Sequence, residues 1–410
     1  MTDNYHHPPY DSVSKSDSTI NTPTIVRLPS DEPIGVLEPV AYFNGAMPTG
    51  VTVSQKGRIF VNFPKWGDEV SFTVAEVREG KPVAYPPNEA MNQTDPHDLA
   101  AAGASSTLMS VQSVVVDPAD RLWILDTGSP MFQPTKYGGP KLVCVDLNMN
   151  QVIKKILFSQ NVALPTTYLN DVRFDLRRGK EGVAYITDSA QNGPNGIIVV
   201  DLATGESWRR LNDHPSTKAE DLRNFLPIVE GRPFLLVKQQ EQQEYEEEEK
   251  NGSTSKLAAN MGSDGIAIGA TGEWLYYCPL ASRRLYSVST EALYDRSVDD
   301  QYVSRTVKDE GDKGGASDGL ESDAEGRIYA TNYEHDAIMR RNPNGEWETI
   351  LHDPRLLWPD TLSLASDGYL YFTANQLHRQ ARFHNGRDMR RKPYTLFRIK
   401  VNAKPVLLLR

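Results

Sequence analysis

The chain has 410 residues and a formal net charge of −10. That length admits two ordinary domains or one large repeat fold, and the acidic balance argues against nucleic acid or an anionic membrane as partner. No apolar run approaches the roughly 20 residues a spanning helix needs, and glycine and proline spread along the whole chain favour many short strands over long helices.

The N-terminus, MTDNYHHPPYDSVSKSDSTINTPT, has no basic n-region and no apolar h-region. It reads as a disordered leader over residues 1–30 and not as a signal peptide, which makes a cytoplasmic location the expectation. The apolar IGVLEPVAYFNG that follows is expected to add the outer strand to the last repeat and so close a ring. From Pro48 onward one pattern recurs: a polar pair, an apolar strand, a turn with Gly or Asp, and an aromatic or β-branched strand. It occurs six times, as PTGVTVSQKGRIFVNF, VQSVVVDPADRLWILDTG, LNDVRFDLRRGKEGVAYITD, GSDGIAIGATGEWLYY, ASDGLESDAEGRIYATN and WPDTLSLASDGYLYFTAN. Several copies run on into a third strand, such as PKLVCVDLN and NGIIVVDLATG. A sheet of that size cannot hide both faces alone, and stacking copies around an axis buries them. The expectation is an all-β, six-bladed β-propeller of four-stranded blades, formed by residues 31–410 as a single domain.

Two insertions interrupt the series. PPNEAMNQTDPHDLAAAGAS separates the first two units, and an acidic low-complexity stretch at about 238–256, KQQEQQEYEEEEKNGSTSK, separates the third and fourth. The second is expected to be a solvated surface loop. Cys144 and Cys278 fall in strands of different units and are expected to be free thiols.

In a propeller the innermost strands surround the axis, so the residues just before them ring one mouth of the channel. They are Thr49, Gln112–Ser113, Asn170–Asp171, Ser263–Asp264, Ser317–Asp318 and Pro359–Asp360. The second strands return to the same mouth one strand further out, at Asn62, Asp126, Asp188, Cys278, Asn332 and Asn375. An Asp before a strand can simply close a turn. Four carboxylates at equivalent points, however, repel one another and acquire raised pKa values unless a cation or donors compensate. Asp264, Asp318, Asp171 and Asp360 are therefore the candidate catalytic residues. Asn170, Gln112, Asn332, Asn375, Trp358 and His378 are the candidate ligand-binding residues. An all-oxygen set of Asp264, Asp318 and Asn170 would suit a hard divalent cation, Ca²⁺, Mg²⁺ or Mn²⁺. No His or Cys pair has zinc spacing, and neither a phosphate loop nor a nucleophile elbow is present.

The segments SDGIAIGATGEWLYYCPLASRRLYSVSTEAL, ASDGLESDAEGRIYATN and WPDTLSLASDGYLYFTANQLHR with KPYTLFRIKV resemble the major royal jelly protein and Yellow family, over roughly Glu38 to Val401. The resemblance implies a six-bladed propeller with a ligand tunnel on its axis. That family includes pigment-pathway proteins proposed to convert dopachrome, nutritional proteins and salivary carriers of biogenic amines. This chain departs from the insect pattern, whose members are secreted and carry disulfides: no leader is expected and the two cysteines are isolated, with Cys278 standing where LYFHPL, with a His, is common, so secretion, glycosylation and a structural disulfide are not expected to carry over. A more distant resemblance joins it to the calcium-dependent lactonases of the gluconolactonase and regucalcin type. There Asp264 stands in the place of a metal-binding Asn, Asp318 matches a metal-binding Asp, and Asn170 matches an Asn near the substrate, whereas Thr49 occupies the place of a Glu.

Three functions follow. The first is an enzyme acting in the central funnel on a small oxygenated or aromatic metabolite, by lactone hydrolysis around a cation or by tautomerisation with a carboxylate shuttling the proton. The second is a non-catalytic amine carrier with Trp358, Tyr333 or Phe63 offering aromatic faces. The third is an interaction scaffold, since fold does not decide function. A small-molecule partner, and neither nucleic acid, membrane nor an obligate protein partner, is the expectation.

Overall fold

Six four-stranded antiparallel sheets form a ring in the computed structural model, which describes residues 31–87, 91, 105–236, 256–257 and 260–410. The innermost strands are Val51–Val53, Val111–Val116, Leu169–Asp175, Ser263–Ile268, Leu320–Ser322 and Pro359–Leu364. Each touches the next, and the last touches the first, so the cycle is closed. We number the blades 1 to 6 in this order.

Closure comes from mixing the two ends of the unit Pro33–Arg410. Glu38–Phe43 lies antiparallel on Tyr394–Lys400 as the outer strand of blade 6, with Glu38 opposite Arg398 and Phe43 opposite Tyr394. Arg398 donates to the Glu38 carboxylate at 2.9 Å and reinforces the seam.

Burial follows position in the blade. The second strand of blade 3, Val183–Asp188, is buried on both faces, while the outer strand of blade 2, Gln151–Leu157, is mostly exposed or half-buried. Apolar side chains fill the wedges between sheets. Trp123, Leu142 and Cys144 of blade 2 meet Val172, Ile186 and Ile198 of blade 3. Tyr185 and Ile197 of blade 3 meet Ile266, Leu275 and Tyr277 of blade 4. Each such side chain contributes about 1.5–3 kcal/mol on burial.

The turn joining first and second strands lies at the far mouth and repeats one device. Asp117, Asp175, Asp323 and Asp367 each accept from the backbone N–H two residues on. A second-strand donor completes three of them: Trp123 Nε1 to Asp117 at 2.8 Å, Tyr329 OH to Asp323 at 2.8 Å and Tyr371 OH to Asp367 at 2.9 Å.

Cys144 and Cys278 are buried free thiols. The leader expected over 1–30 and the acidic stretch up to residue 255 lie outside the described residues, as do 88–90 and 92–104 of the first insertion. Lys256–Leu257 pairs with Leu235–Leu236 at the base of the second insertion. Among the described residues no helix is long and apolar enough to cross a membrane.

Candidate active site

A slip in strand register explains why charged residues sit at the axis. In blade 3 Leu169 faces Asp188, and the next pair is Val172 with Ile186. In blade 4 Ser263 faces Pro279, and the next pair is Ile266 with Tyr277. Blade 6 slips in the same way between Pro359 and Leu362, and blade 2 between Val111 and Ser113. A bulge leaves its extra residue unpaired and re-aims the side chain. The first bulged residues are Gln112, Asn170, Asp264 and Asp360. Asp318 takes the equivalent place in blade 5, just before Leu320. These five line one cavity.

The Asp-Gly pairs have a steric origin. A Cβ at Gly265 would stand 2.5 Å from the carbonyl oxygen of Asp318, and one at Gly319 would stand 2.3 Å from that of Asp360. Both are closer than atoms pack, so the residue after Asp264 and the residue after Asp318 must lack a side chain for the next blade to approach.

Burial and mutual repulsion set the protonation of the cluster. Asp264, Asp318 and Asp360 are all buried, and loss of solvent is the main force raising each pKa. The charge of Asp318 pushes Asp264 and Asp360 further up, well above the usual carboxylate range. Asp318 rises only to about 6, because Trp358 and Asp264 hydrogen-bond to its charged form. The Trp358 indole donates to Asp318 Oδ2 at 2.7 Å. Asn375 Nδ2 donates to Asp360 Oδ2 at 2.6 Å, and Thr361 Oγ1 to its other oxygen at 3.0 Å. Of the coupled pair, Asp318 is therefore the member that ionises more readily, and Asp264 the one that holds its proton longer.

The expected site residues divide into those that reach the cavity and those that do not. Asp264, Asp318, Asp360, Asn170 and Gln112 reach it. Asp171 does not join the acid cluster. As the second bulged residue it pairs with Arg173 at 2.8 Å, accepts from Ser113 Oγ at 2.6 Å, and is neutralised there. Trp358 is fully buried, stacked on Tyr333 at 4.1 Å and on His378 at 5.8 Å, so it holds Asp318 and offers no face to a ligand. His378 is buried behind it and bonded to Glu230. Asn375 splits its amide between Asp360 and the carbonyl of Pro48. Asn332 bonds Gly314 O and Glu334 N and fixes the entry loop of blade 5. This outer column is architectural: Asp126 accepts from Met109 N and Ser110 N, and Asp188 from Tyr168 N, in the same manner.

The roof of the cavity comes from loops that carry no periodic signal. Phe132, Trp66 and Tyr168 form a triangle of rings, Phe132 lying 5.3 Å from Trp66 and 5.1 Å from Tyr168, and the Arg382 guanidinium lies 5.0 Å from the Phe132 ring centre. Trp66 Nε1 donates to Tyr168 OH at 2.7 Å, and Tyr168 OH donates to Gln112 Oε1 at 3.1 Å. Met131, Phe132 and Trp358 have φ values of 53°, 56° and 56°. Such left-handed backbone costs on the order of 1–3 kcal/mol per residue and concentrates where function over-rules comfort. The open space left among these side chains is ≈20 Å³, room for about one water.

The expected cation set, Asp264, Asp318 and Asn170, lines the cavity together. Among the described residues no group of three or more His, Cys, Asp or Glu is placed to hold a metal ion. Asp264 and Asp318 turn toward each other, Asp318 spends its Oδ2 on Trp358, and Asn170 Oδ1 accepts from Gln112 at 3.4 Å.

A family model described as Major royal jelly protein matches residues 109–224 and 243–405. Major royal jelly protein 7 of Apis mellifera is 29% identical over 191 residues, 45% of this chain and 36% of that protein. Protein yellow of Drosophila pseudoobscura pseudoobscura is 26% identical over 269 residues, 65% of this chain and 44% of that protein. The match spans less than half the length of either relative. The crystal structure of a calcium-binding protein, regucalcin, from Agrobacterium tumefaciens superposes with a TM-score of 0.51 at 13% identity, over 90% of this chain and 97% of that one. At that identity the likeness concerns the fold alone.

Proposed function

The chain belongs to the major royal jelly protein family, and on that premise we propose that it is an enzyme moving a proton within a small oxygenated or aromatic metabolite, by tautomerisation or isomerisation, at Asp264, Asp318 and Asp360. One observation carries this: Asp264, Asp318 and Asp360 are buried together against one cavity, where Asp264 is pushed well above the usual carboxylate range and Asp318 only to about 6. A base and an acid side by side can take a proton from one substrate atom and give one to another. Asp318 accepts, Asp264 donates, and the pair resets by passing the proton across its shared hydrogen bond. Atoms and charge balance without a co-reactant. Acid–base assistance of this kind supplies about 10²–10⁴ in rate, and environments that separate two pKa values assign the roles. Trp358 steadies the charged form of Asp318. The Trp66, Phe132 and Tyr168 rings suit a planar substrate, since offset stacking contributes about 0.5–1.5 kcal/mol per pair.

Exchange of substrate C–H for deuterium in D₂O tests the reading directly. Phenylpyruvate, which interconverts keto and enol forms, serves as first probe, with a simple γ-lactone in parallel. Exchange above the buffer rate, lost by about 10² or more in Asp318→Asn, supports proton transfer. Turnover of the lactone without any exchange, or exchange unaltered in Asp318→Asn, overturns it.

A further inference from the structure

The net charge of −10 is not shared evenly. Within NQLHRQARFHNGRDMRRKP, residues 375–393, five arginines and a lysine meet the single acid Asp388. This loop overhangs the mouth that holds the acid cluster, since Leu377 and Arg382 line the cavity. Arg390 is neutralised by Asp68 at 2.7 Å and Asp388 at 2.6 Å. Arg379 is paired with Glu230. Arg391 is exposed and has no carboxylate partner among the described residues. Neither has Arg232, on the facing hairpin Ile228–Val229 and Arg232–Pro233.

Arg232, Arg379 and Arg391 line one wall of a second cavity of ≈480 Å³, a size typical of small-molecule sites. Glu230 is the one acid in that wall, so two positive charges stand in surplus. Phe234, Leu235, Phe383 and Met389 give the same cavity an apolar lining. His378 also lines the cavity and is 4% exposed. Its Nε2 faces the Glu230 carboxylate at 2.8 Å, so Nε2 carries the proton, and its buried Nδ1 is left with no partner. A buried lone pair without a donor is costly.

We propose that this vestibule is a binding site for an organic phosphate monoester with an aromatic or apolar body. Guanidinium forks match phosphate oxygens, the apolar wall takes the body, and the P–OH of the monoanion supplies the donor that His378 Nδ1 lacks. The occupant would lie one ring from the acid pair, because His378 stacks on Trp358 and Trp358 holds Asp318. Binding here is independent of whether the acid cluster is catalytic.

Calorimetric titration of the full chain with 1-naphthyl phosphate, 1-naphthyl sulfate, 1-naphthol and inorganic phosphate tests the proposal. It is run near pH 6, about the second pKa of a phosphate monoester. The expected order is naphthyl phosphate tightest, the sulfate about tenfold weaker for want of a donor, and naphthol and inorganic phosphate weaker still. Arg232→Gln with Arg391→Gln should weaken naphthyl phosphate about tenfold or more. Arg387→Gln with Lys392→Gln removes the same charge from exposed positions of the same loop outside the cavity, and should leave its Kd within about twofold. His378→Phe, which keeps the stack, should erase the preference for phosphate over sulfate. Equal losses in the two double variants would reduce the effect to general attraction by a basic loop. Absence of binding, or sulfate bound as tightly as phosphate by the unaltered chain, would also overturn the site.

Discussion

The inner strands carry aspartates at both ends, and the two rings differ in what surrounds them. At the far mouth Asp117 accepts from Ala119 N, Arg121 N, Arg121 Nε and Trp123 Nε1. Asp323 accepts from Glu325 N, Arg327 N, Arg327 Nε and Tyr329 OH. Every donor comes from the same hairpin, and a guanidinium balances the charge. At the near mouth Asp318 has the Trp358 indole and Asp360 has an amide and a hydroxyl, all neutral. Two rings written with the same residue type therefore do different things. Where the hairpin closes the carboxylate's account, the aspartate is architecture. Where donors fall short and carboxylates face one another, folding free energy is held as a shifted pKa, which is the condition for acid–base chemistry.

The most severe way to break this comparison is to remove one member of each ring. Asp117→Ala strands the Arg121 and Trp123 donors and should cost about 3 kcal/mol or more in urea unfolding, with any exchange activity retained by the fraction that folds. Asp318→Asn should do the reverse: a fold at least as stable as before near neutral pH, and activity reduced by about 10² or more. If Asp318→Asn unfolds the protein and Asp117→Ala does not, the rings have been assigned the wrong way round.

A smaller effect tests the steric half of the Asp-Gly repeat. Gly319→Ala forces a Cβ to 2.3 Å from the Asp360 carbonyl oxygen and should destabilise by about 1–3 kcal/mol, the usual cost of overpacking. Gly45→Ala, where nothing lies within 4 Å, should be near neutral. Equal melting temperatures for the two variants would leave the glycines without a packing reason.

Much of this was legible in the sequence, and the failures share a cause. The repeated hairpins and the N-terminal strand that closes the ring follow from turn spacing and alternation alone. So does the choice of mouth, because a polar pair before each inner strand has nowhere else to go. Which member of the pair faces the axis was not legible. In LNDVRF the bulge aims Asn170 and not Asp171 at the cavity, and only Arg173, two residues on along one strand face, hinted that Asp171 had its own partner. Trp358, Asn332 and Asn375 stand one layer outside the cavity lining, bonded to protein groups, and His378 lines the neighbouring vestibule instead. Trp66, Phe132, Tyr168 and Arg382 come from loops whose positions are set by tertiary packing, and no local pattern marks them.

Titration of the native protein sharpens the contrast further. Asp318 keeps its proton to about pH 6 in the folded state, whereas an aspartate in an unfolded chain releases it near about 3.9. Between those values the unfolded state binds fewer protons, so stability falls as pH rises. Below both values, and above the folded one, this group contributes no slope. Asp264 and Asp360 shift in the same direction and extend the fall to higher pH. The loss from Asp318 is on the order of 3 kcal/mol, and Asp318→Asn should flatten the pH 4–6 part of the curve measured by urea midpoints. A wild-type curve that rises over this interval would mean that the funnel carboxylates are compensated after all.

The subtlest effect concerns the single donor that sets Asp318 apart. The Trp358 indole bonds the charged form at 2.7 Å, so it lowers a pKa that burial raises. Trp358→Phe keeps a ring between Tyr333 and His378 but removes that donor. The Asp318 pKa should then climb above its value of about 6, by about one unit if the bond contributes as a typical hydrogen bond to a charged group does. Because Asp318 must be ionised to accept a proton, the acid limb of the pH–rate profile should move up by the same amount, while the rate on the plateau changes little. The alkaline limb, which reports ionisation of the Asp264 side of the pair, moves less, since Trp358 bonds only Asp318; the two limbs belong to the coupled pair and are compared as apparent values. A uniform drop in rate with both limbs unmoved would show that Trp358 supports the fold of the funnel without tuning its acid, and the near-mouth ring would lose the feature that distinguishes its base from its acid.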